Sequence, residues 1–594
     1  MTLLIVLSLL LTNPAYEEMT VTASMVPEEF SDLARSLTVL DAETISRSGA
    51  SSIQDLLVLA GVQLRERGAG GVQADVAIRG ATFEQTLILL DGVKLSDPQT
   101  GHHLLNLPVT VEQIQRIEVL RGPGSRLYGP NAFGGVINII TKEVQDIWKV
   151  SIGSGQNGFK NGSLNAGVTN NAWHFNASLD SQQSDGFMEN TDYDLQTMNF
   201  NAGYRKGLHD YQLSWGQSEK DFGANRFYHP DFPMQREITK ATTAVLKGKW
   251  ILDRGHVSAN LYSRKHEDDF VLDYTRPDWY RNVHETSVSG LDLKGSLQNS
   301  LGSFSMGMEY IQEEIESSNL GFHDRNKKGV FIEQSLSSER FDWVLGGSAY
   351  YFSKHGWEFW PGLDVAWKLP NQQRLFGSVA RSFRLPTFTE LYYVGGGNRG
   401  NDNLNAEQAW NYELGYRIKL PSSLLQLSVF SRDAEDLIDW VWNDEDRFYD
   451  AMNFSQVDTR GIELEASWSL PQSVLGITQM RGFYSYIDSE LDTSGLQTKY
   501  LLNHPRQIAT LTVFFEFGQR LESFLSLSHE EYSQASDQFT VDMSTSYTWN
   551  KLSVKVHVDN LFNEHHEDFT RLPLPGRWVK CAIGYAFSAQ KHNK

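Results

Sequence analysis

The sequence predicts a transmembrane β-barrel of about 22 antiparallel strands, with an N-terminal α+β domain inside its lumen. Residues 76–142 pack short apolar runs between tight glycine turns, which is typical of a compact mixed domain. In roughly 440 further residues, polar and apolar side chains alternate as in strands with one wet and one apolar face. At roughly 20 residues for each strand with its loop, this region gives about 22 strands, the size of barrels whose lumen is plugged.

The first residues are expected to form a secretory signal peptide over residues 1–15. Residues 3–11 are an apolar core that is too short to span a bilayer. The pattern departs from the usual one, because no Lys or Arg precedes the core and a cut after Ala15 puts Asn13 three positions before it. Residues 16–37 are then expected to lead into the folded domain.

The lumenal α+β domain is expected to span residues 38–145. Helices are predicted to start near Asp41 and Ser52, because their side-chain oxygens can cap a first helical turn. Asp91-Gly92 predicts a hairpin turn, since both residue types tolerate positive φ. These local signals indicate an independently folded unit ahead of the strands.

The barrel is expected to span residues 146–587, followed by a tail at residues 588–594. Its alternation is clear in residues 538–549, where one face carries Phe539, Val541, Met543, Tyr547 and Trp549. The opposite face there is polar, as a wet lumen requires. A closed barrel is favoured over a soluble sandwich, because every backbone polar group in lipid must be paired and closure removes the sheet edges.

Composition excludes several classes of protein. The chain has 52 Lys and Arg against 73 Asp and Glu, a formal charge of −21, so no nucleic-acid partner is expected. It has no apolar run of 18 residues, so no α-helical membrane span is expected. The aromatic content of 12% can supply girdles at both bilayer interfaces. The single cysteine, Cys581, cannot form an intrachain disulfide.

Five short motifs occur in order within residues 76–142, and together they resemble the plug of TonB-dependent outer-membrane receptors. They are Ile78-Arg79-Gly80, Leu89-Leu90-Asp91-Gly92-Val93, Ile117-Glu118-Val119-Leu120-Arg121-Gly122-Pro123, Leu127-Tyr128-Gly129 and Gly134-Gly135-Val136-Ile137-Asn138-Ile139-Ile140. Barrel segments 380–387, 403–407, 411–416 and 559–563 are also similar to the family. The resemblance covers nearly the whole chain and implies an importer in the outer membrane of a Gram-negative bacterium, with no enzyme activity and no cofactor.

The resemblance identifies residues 17–23 as the TonB box, the segment that such receptors offer to TonB in the periplasm. The residues are Glu17, Glu18, Met19, Thr20, Val21, Thr22 and Ala23. The segment contains β-formers and no proline, so it can add a strand to the edge of a partner's sheet. The implied partner is TonB with its inner-membrane energising complex.

Three charged plug residues, Arg79, Glu118 and Arg121, are expected to lie inside the polar lumen. There they can pair with barrel carboxylates such as Glu463 or Glu465. The resemblance implies that the plug arginines lock the plug to the barrel, and removing one partner from a buried pair typically costs ~3–5 kcal/mol.

The ligand is expected to bind at the plug apex and the outer loops. The apex stretch is Gly68, Ala69, Gly70 and Gly71, which lacks the Lys-Ser/Thr that a phosphate loop needs. Tyr228 lies in a segment, residues 222–228, that is similar to cobalamin-receptor-like members, as are residues 184–193. Cobalamin is therefore the first expected cargo and a ferric siderophore the second.

Other functions stay open at this point. A haem receptor would need an axial histidine in an outer loop, which His229 or His323 could supply, and receptors for other metal complexes remain alternatives. A passive porin would have neither plug nor box. No catalytic group is expected; Glu463 with His557 can be imagined as an acid/base pair, but nothing in the sequence fixes their geometry.

No metal site is expected from the histidine pairs His102-His103 and His565-His566. Neighbouring side chains on a strand point to opposite faces, so neither pair would make a good chelate. Residues 443–446 are an acidic turn, expected to be a solvated outer loop, with a calcium or cationic-ligand site as the alternative.

Overall fold

The computed structural model describes residues 20–21, 28–30, 33–445, 447–454, 456–491, 496–532, 536–567 and 572–588. The predicted signal peptide and the residues after 588 lie outside this described part of the chain. A short antiparallel pair comes first, formed by β1 (Thr20–Val21) and β2 (Glu28–Glu29).

The plug domain is a mixed sheet with short helices. Its elements are β3 (Leu37–Leu40), α1 (Ala42–Ser48), α2 (Ile53–Leu59), β4 (Gln63–Arg67), β5 (Gln73–Ala77), β6 (Thr86–Leu90), β7 (Val93–Lys94), β8 (Ile114–Arg121), α3 (Ser125–Tyr128) and β9 (Gly135–Thr141). Five strands form one sheet in the order β3-β8-β9-β6-β7, in which β6 and β9 run parallel. Strands β4 and β5 form a separate hairpin.

The local signals of the sequence account for the plug elements. Asp41 caps α1 by accepting a hydrogen bond from the Thr44 backbone N–H at 2.8 Å. Ser52 and Asp55 form a capping box at the start of α2. Asp91 and Gly92 have φ of 50° and 78° in the β6–β7 turn, so the predicted hairpin turn is confirmed.

The barrel wall begins after the plug. Its first thirteen strands are β10 (Ile147–Gly155), β11 (Lys160–Asn170), β12 (Trp173–Ser184), β13 (Tyr193–Lys206), β14 (His209–Gly223), β15 (Arg236–Leu252), β16 (Gly255–Val271), β17 (Arg281–Asn299), β18 (Gly302–Ser317), β19 (Gly321–Ser337), β20 (Phe341–Phe352), β21 (Gly356–Leu369) and β22 (Gln373–Arg384). Each pairs antiparallel with the next along the chain.

The chain then leaves the wall twice. It forms α4 (Phe388–Tyr392), β23 (Val394–Gly395) and β24 (Asn398–Arg399), returns as β25 (Glu407–Leu420) and β26 (Ser423–Glu435), and leaves again as β27 (Leu437–Asn443) and β28 (Phe448–Phe454). It finishes the wall as β29 (Val457–Val474), β30 (Ile477–Leu491), β31 (Pro505–Phe517), β32 (Leu521–Tyr532), β33 (Gln538–Trp549), β34 (Leu552–Asp559) and β35 (Trp578–Ser588). Strands β23, β24, β28 and β27 form a small sheet outside the wall, which the sequence did not predict.

The wall closes because β35 pairs with β10, and the predicted barrel of 22 antiparallel strands is confirmed. Compared with a soluble protein, the barrel has its apolar and polar side chains on opposite sides. Apolar side chains such as Leu345 and Ile332 are more than half exposed on the outside, whereas lumen residues such as Glu463 and Asp364 are buried against the plug. This is the pattern of a wall that meets lipid outside and a polar lumen inside.

The two ends of the barrel differ. Neighbouring strands are joined by short turns at the end where β10 begins and by long connections, such as residues 385–406 and 436–456, at the other. Long loops face the cell exterior in outer-membrane barrels. The long-loop end is therefore the extracellular one. No helix in the described part of the chain is long and apolar enough to cross a membrane.

Candidate functional site: the plug–barrel interface and the outer face of the plug

Arg79 is held between the plug and two barrel strands. It follows β5 with a φ of 53°, next to Gly80, in a turn that aims its side chain at the wall. Its Nε and Nη2 donate to Glu463 on β29 at 2.9 and 2.6 Å, and Nη2 also donates to Glu413 on β25 at 2.8 Å. The guanidinium lies 4.3 Å from the centre of the Phe430 ring. Burial and these two carboxylates make this a charge-assisted clamp out of water.

Arg121, at the end of β8, shares the same barrel carboxylate. Its Nη1 donates to Glu463 at 3.3 Å, and its Nη2 donates to the Ala60 carbonyl within the plug. The guanidinium lies 4.2 Å from the centre of the Phe483 ring. Two of the three sequence-predicted lock residues therefore meet at one buried glutamate.

Glu118, the third, has a different environment. It accepts a hydrogen bond from Arg116 Nε at 2.8 Å, and both residues belong to plug strand β8. The structure therefore places this ion pair within the plug.

A second clamp, which sequence reasoning missed, joins the plug to Asp364 on β21. Arg35 Nε donates to Asp364 at 2.6 Å and Arg126 Nη2 donates to the same carboxylate oxygen at 2.7 Å. Arg126 also lies 3.0 Å from Glu333 on β19. The sequence shows that these strands carry charged residues on their polar face. It does not show which arginine each of them contacts, because that depends on the register of the closed wall.

A barrel arginine holds the chain that leads into the plug. Arg417, on β25, donates to the carbonyls of Leu33 at 2.8 Å and Arg35 at 2.6 Å. Its side chain is fully buried, with Gln426 as a further partner. This contact fixes the segment between the predicted TonB box and β3 against the wall. Within the box, Thr20 and Val21 are the described residues and lie in β1; Glu17, Glu18, Met19, Thr22 and Ala23 lie outside the described part of the chain.

The predicted apex turn, residues 68–71, is packed against the wall near its outer end. Lys220 on β14 donates to the Gly71 carbonyl at 2.8 Å, and Arg67 donates to the Phe227 carbonyl at 2.8 Å. Ala69 is buried in an apolar cluster with Phe227, and a Cβ on Gly70 would come within 2.5 Å of the Tyr193 ring. Close packing therefore explains why small residues occupy this turn.

Aromatic rings of the plug and of two barrel connections meet at the outer side of the plug. The Phe83 and His102 rings stack with centroids 4.4 Å apart, and Tyr500 and Tyr228 each lie 6.2 Å from His102. Tyr228 is anchored because its hydroxyl donates to Glu237 at 2.6 Å. We call Phe83, His102, Tyr228 and Tyr500 the aromatic floor.

The histidine pair His102-His103 does not lie on a strand, which corrects the geometry assumed from the sequence. Residues Gly101–His103 form one 3₁₀ turn capped by Thr100. His102 contacts Asp75 at 2.6 Å, whereas His103 faces the barrel carboxylates Glu237 and Asp268. Burial alone would raise the pKa of Asp75, but the neighbouring His102 and Arg67 lower it.

Two cavities of about 230 and 290 Å³ lie between the plug helices and the wall. Both are lined by Ser51, Gly70, His557 and Lys580, so they adjoin at one point. Glu66 lines the smaller one, where burial and nearby carboxylates, Asp55 first, raise its pKa to about 8. Lys580 donates to Ser51 at 3.3 Å where the cavities meet.

The predicted outer-loop residues differ in their contacts. The His323 ring stacks on Tyr392 with centroids 3.6 Å apart and its Nε2 lies 2.7 Å from the Leu320 carbonyl. The His229 side chain is 40% exposed. In the acidic turn, Asn443 ends β27 of the outer sheet and Asp444 and Glu445 follow in the turn, and the fourth residue lies outside the described part of the chain. The imagined pair of Glu463 with His557 does not form, because Glu463 pairs with Arg79 and His557 with Asp559 at 2.6 Å.

Comparison with known proteins gives matches along almost the full length. A family model described as "TonB dependent receptor-like, beta-barrel" matches residues 143–561, and one described as "TonB-dependent Receptor Plug Domain" matches residues 29–136. The Vitamin B12 transporter BtuB of Photobacterium profundum is 25% identical over 602 residues, which cover 92% of each chain.

Two further proteins are similar. The "Iron-regulated outer membrane virulence protein" of Vibrio cholerae serotype O1 is 25% identical over 622 residues, which cover 92% of this chain and 91% of that protein. The solved structure of the FrpB iron transporter from Neisseria meningitidis matches with a TM-score of 0.78 at 16% identity, covering 93% of this chain and 99% of that one. At that identity the likeness shows a shared fold.

Proposed function

Because this chain belongs to the TonB-dependent receptor family of the outer membrane, we propose that it imports a scarce, large nutrient, either cobalamin or a ferric siderophore, with energy delivered by TonB. Proteins of this family are receptors and transporters for cobalamin, siderophores or metals rather than enzymes. The ligand binds the outer loops and the aromatic floor, which releases the TonB box at residues 17–23 to the periplasm. TonB then pulls on the plug.

The observation that carries this proposal is the buried clamp of Arg79 and Arg121 on Glu463. Together with Arg35 and Arg126 on Asp364, it fixes the plug in the lumen from two sides. Breaking one buried pair typically costs ~3–5 kcal/mol, so spontaneous opening is rare and work must be supplied. A passive porin, the alternative from another class, would need an open lumen instead.

Ligand binding must favour the state with a released box, because a ligand with equal affinity for both states shifts nothing. The segment held by Arg417 connects the box to the plug, so it is the mechanical route by which a pull on residues 17–23 reaches β3. In this proposal, the two clamps hold the plug at rest and the segment at Arg417 transmits the force.

Cobalamin is the first candidate cargo and a ferric siderophore the second. The similarity to a protein named Vitamin B12 transporter covers 92% of both chains, and the similarity to an iron-regulated outer-membrane protein is of the same extent. In this proposal the ligand packs on the partly exposed rings of the aromatic floor, Tyr228 and Tyr500, which suits a corrin or a siderophore with aromatic groups. Receptors for haem or other metal complexes are the next alternative, and the half-exposed His229 is the available axial ligand in an outer loop.

A ligand screen tests the proposal. Purified full-length protein is titrated with cobalamin, ferric siderophores and haem while tryptophan fluorescence is recorded, and uptake of the best ligand is measured in cells with and without TonB. We expect saturable quenching by cobalamin or a siderophore and uptake only with TonB. The variant Tyr500→Ala should weaken binding, whereas Tyr547→Ala, on the lipid-facing side of β33, should not. Uptake without TonB, or absence of binding to all three ligand classes, would refute the proposal.

A further inference from the structure

The structure brings together one plug histidine and two barrel carboxylates outside the Arg79 clamp. His103 comes from the plug, Glu237 from β15 and Asp268 from β16. Glu237 and Asp268 share the lumen face because Thr239 is the register partner of Asp268 and lies two residues from Glu237. All three side chains are buried, with residue exposures of 3, 1 and 5%.

The distances show that these groups surround a small space rather than bind each other tightly. His103 Nε2 lies 3.4 Å from Asp268 Oδ2, and its Nδ1 lies 3.9 Å from Glu237 Oε1. Charge-assisted hydrogen bonds are normally about 2.7–2.9 Å long. The neighbouring pair of Arg264 with Asp97 has that length, 2.7 Å, so the contacts of His103 are longer than those of an adjacent buried pair.

Two buried acceptor atoms at this group have no hydrogen-bond partner. Among the described residues, Asp268 Oδ1 is buried without a hydrogen-bond partner, and so is Oε1 of Gln99, whose amide nitrogen donates to Asp268 Oδ2 at 2.8 Å. A buried acceptor without a donor is costly, and both atoms are acceptors with no proton to give. A cation bound by the Asp268 carboxylate would give this buried acceptor group a partner.

We propose that His103, Glu237 and Asp268 form a binding site for a divalent transition-metal cation that links the plug to the barrel wall. One ligand atom from each residue lies within 4.8 Å of the others. Metal–nitrogen and metal–oxygen bonds are about 2.0–2.2 Å long, so a movement on the order of 1 Å closes the three around one ion. One imidazole with two carboxylates favours Zn²⁺ or a similar ion over Ca²⁺ and Mg²⁺, which prefer all-oxygen sites.

The surroundings hold two of the ligands in place. The Tyr228 hydroxyl donates to Glu237 at 2.6 Å, and Gln99 donates to Asp268. Such outer hydrogen bonds orient metal ligands and sustain affinity. Because one ligand belongs to the plug and two to the wall, a bound ion fastens the outer side of the plug as the arginine clamps do elsewhere. The proposed site depends on the plug lying inside the barrel, and it does not depend on which ligand is imported.

Metal titration of the full-length protein tests the site. After chelator treatment, the protein is titrated with Zn²⁺ by calorimetry and with Co²⁺ by visible absorption, with Ca²⁺ and Mg²⁺ for comparison. We expect one Zn²⁺ per chain, and at least about tenfold weaker binding in His103→Ala and in the nearly isosteric Asp268→Asn. His565→Ala, in an exposed loop, should bind as the unchanged protein does.

Protease resistance of the plug provides a second readout. Zn²⁺ should slow cleavage of the plug in the unchanged protein but not in Asp268→Asn, and circular dichroism of each variant verifies that its barrel is folded. Unaltered Zn²⁺ affinity in both variants, equal binding of Ca²⁺, or no binding to the unchanged protein would overturn the proposal. Ligand uptake is measured in a separate experiment. A wrong cargo assignment would therefore change the uptake result and not the Zn²⁺ affinity or the protease resistance.

Discussion

At the scale of single residues, Glu463 is expected to contribute strongly to plug docking, because two plug arginines, Arg79 and Arg121, share its carboxylate. We predict that Glu463→Gln destabilises plug docking by about 3 kcal/mol, near the lower end for a broken buried pair, since Arg79 keeps Glu413. The substitution keeps the shape of the side chain and removes its negative charge. The loss of docking stability is measured as a shift in the denaturant concentration at which the plug loses half of its protease resistance.

The matched control is Glu465→Gln on the same strand. Glu465 accepts a hydrogen bond from the Thr38 hydroxyl at 2.7 Å, which an amide oxygen can still accept, and its nearest arginine, Arg481, lies 3.9 Å away. We expect a small effect there. Equal midpoints for the two variants would show that the charge on Glu463 does not hold the plug.

Glu66 predicts a pH dependence of plug stability. Burial, reinforced by Asp55, raises its folded-state pKa from the usual 4.5 to about 8. The folded plug therefore binds this proton more tightly than the unfolded chain, so the stability that Glu66 contributes is fully present below pH 4.5 and is lost as the pH rises through 8. Glu66→Gln resembles the protonated acid and should raise the unfolding temperature at pH 9 but hardly at pH 4.

A control for Glu66→Gln is Glu445→Gln, in an exposed outer turn, which should leave the pH profile unchanged. If the profile of Glu66→Gln matches that of the unchanged protein, another group is responsible for the pH dependence.

At the scale of elements, the TonB box predicts a separation of binding from transport. Val21→Pro removes a backbone donor that the segment needs to add a strand to its partner's sheet. We expect normal ligand affinity in the quenching assay and no energised uptake. Val21→Thr, which keeps the donor and the β preference, should transport normally. Uptake that survives the proline would place the box elsewhere.

The elements themselves were largely readable from the sequence, for physical reasons that differ between them. In strands such as β33, apolar side chains recur at every second residue, because one face of the strand meets lipid and the other meets the polar lumen. The helix caps at Asp41 and Ser52 were predictable because each depends only on a side chain and backbone N–H groups that are close in the sequence. Strands β23 and β24 of the outer sheet were missed because they have two residues each and carry no periodic signal. The 3₁₀ turn at Gly101–His103 was missed for the same reason.

At the scale of the whole molecule, the sequence pointed to Arg79 and Arg121 but not to the second clamp or to the meeting of His103 with Glu237 and Asp268. Arg79 and Arg121 stand in recognisable motifs. Asp364, Glu237 and Asp268 meet their partners through the register of a closed wall and the seating of the plug within it. These contacts join residues that are far apart along the chain, so no local sequence pattern predicts them.

The same architecture predicts the electrical behaviour of the molecule. The full chain in a planar bilayer should conduct little, because the plug fills the lumen and is clamped at Glu463 and Asp364. Deleting residues 33–141 removes every plug element and should leave a 22-stranded wall around a wide, polar opening with large, steady conductance. Deleting residues 16–27 removes the box but leaves the plug, so this control should stay closed. A full chain that conducts as well as the plug deletion would show that the plug does not seal the barrel, and active import would then have no barrier to overcome.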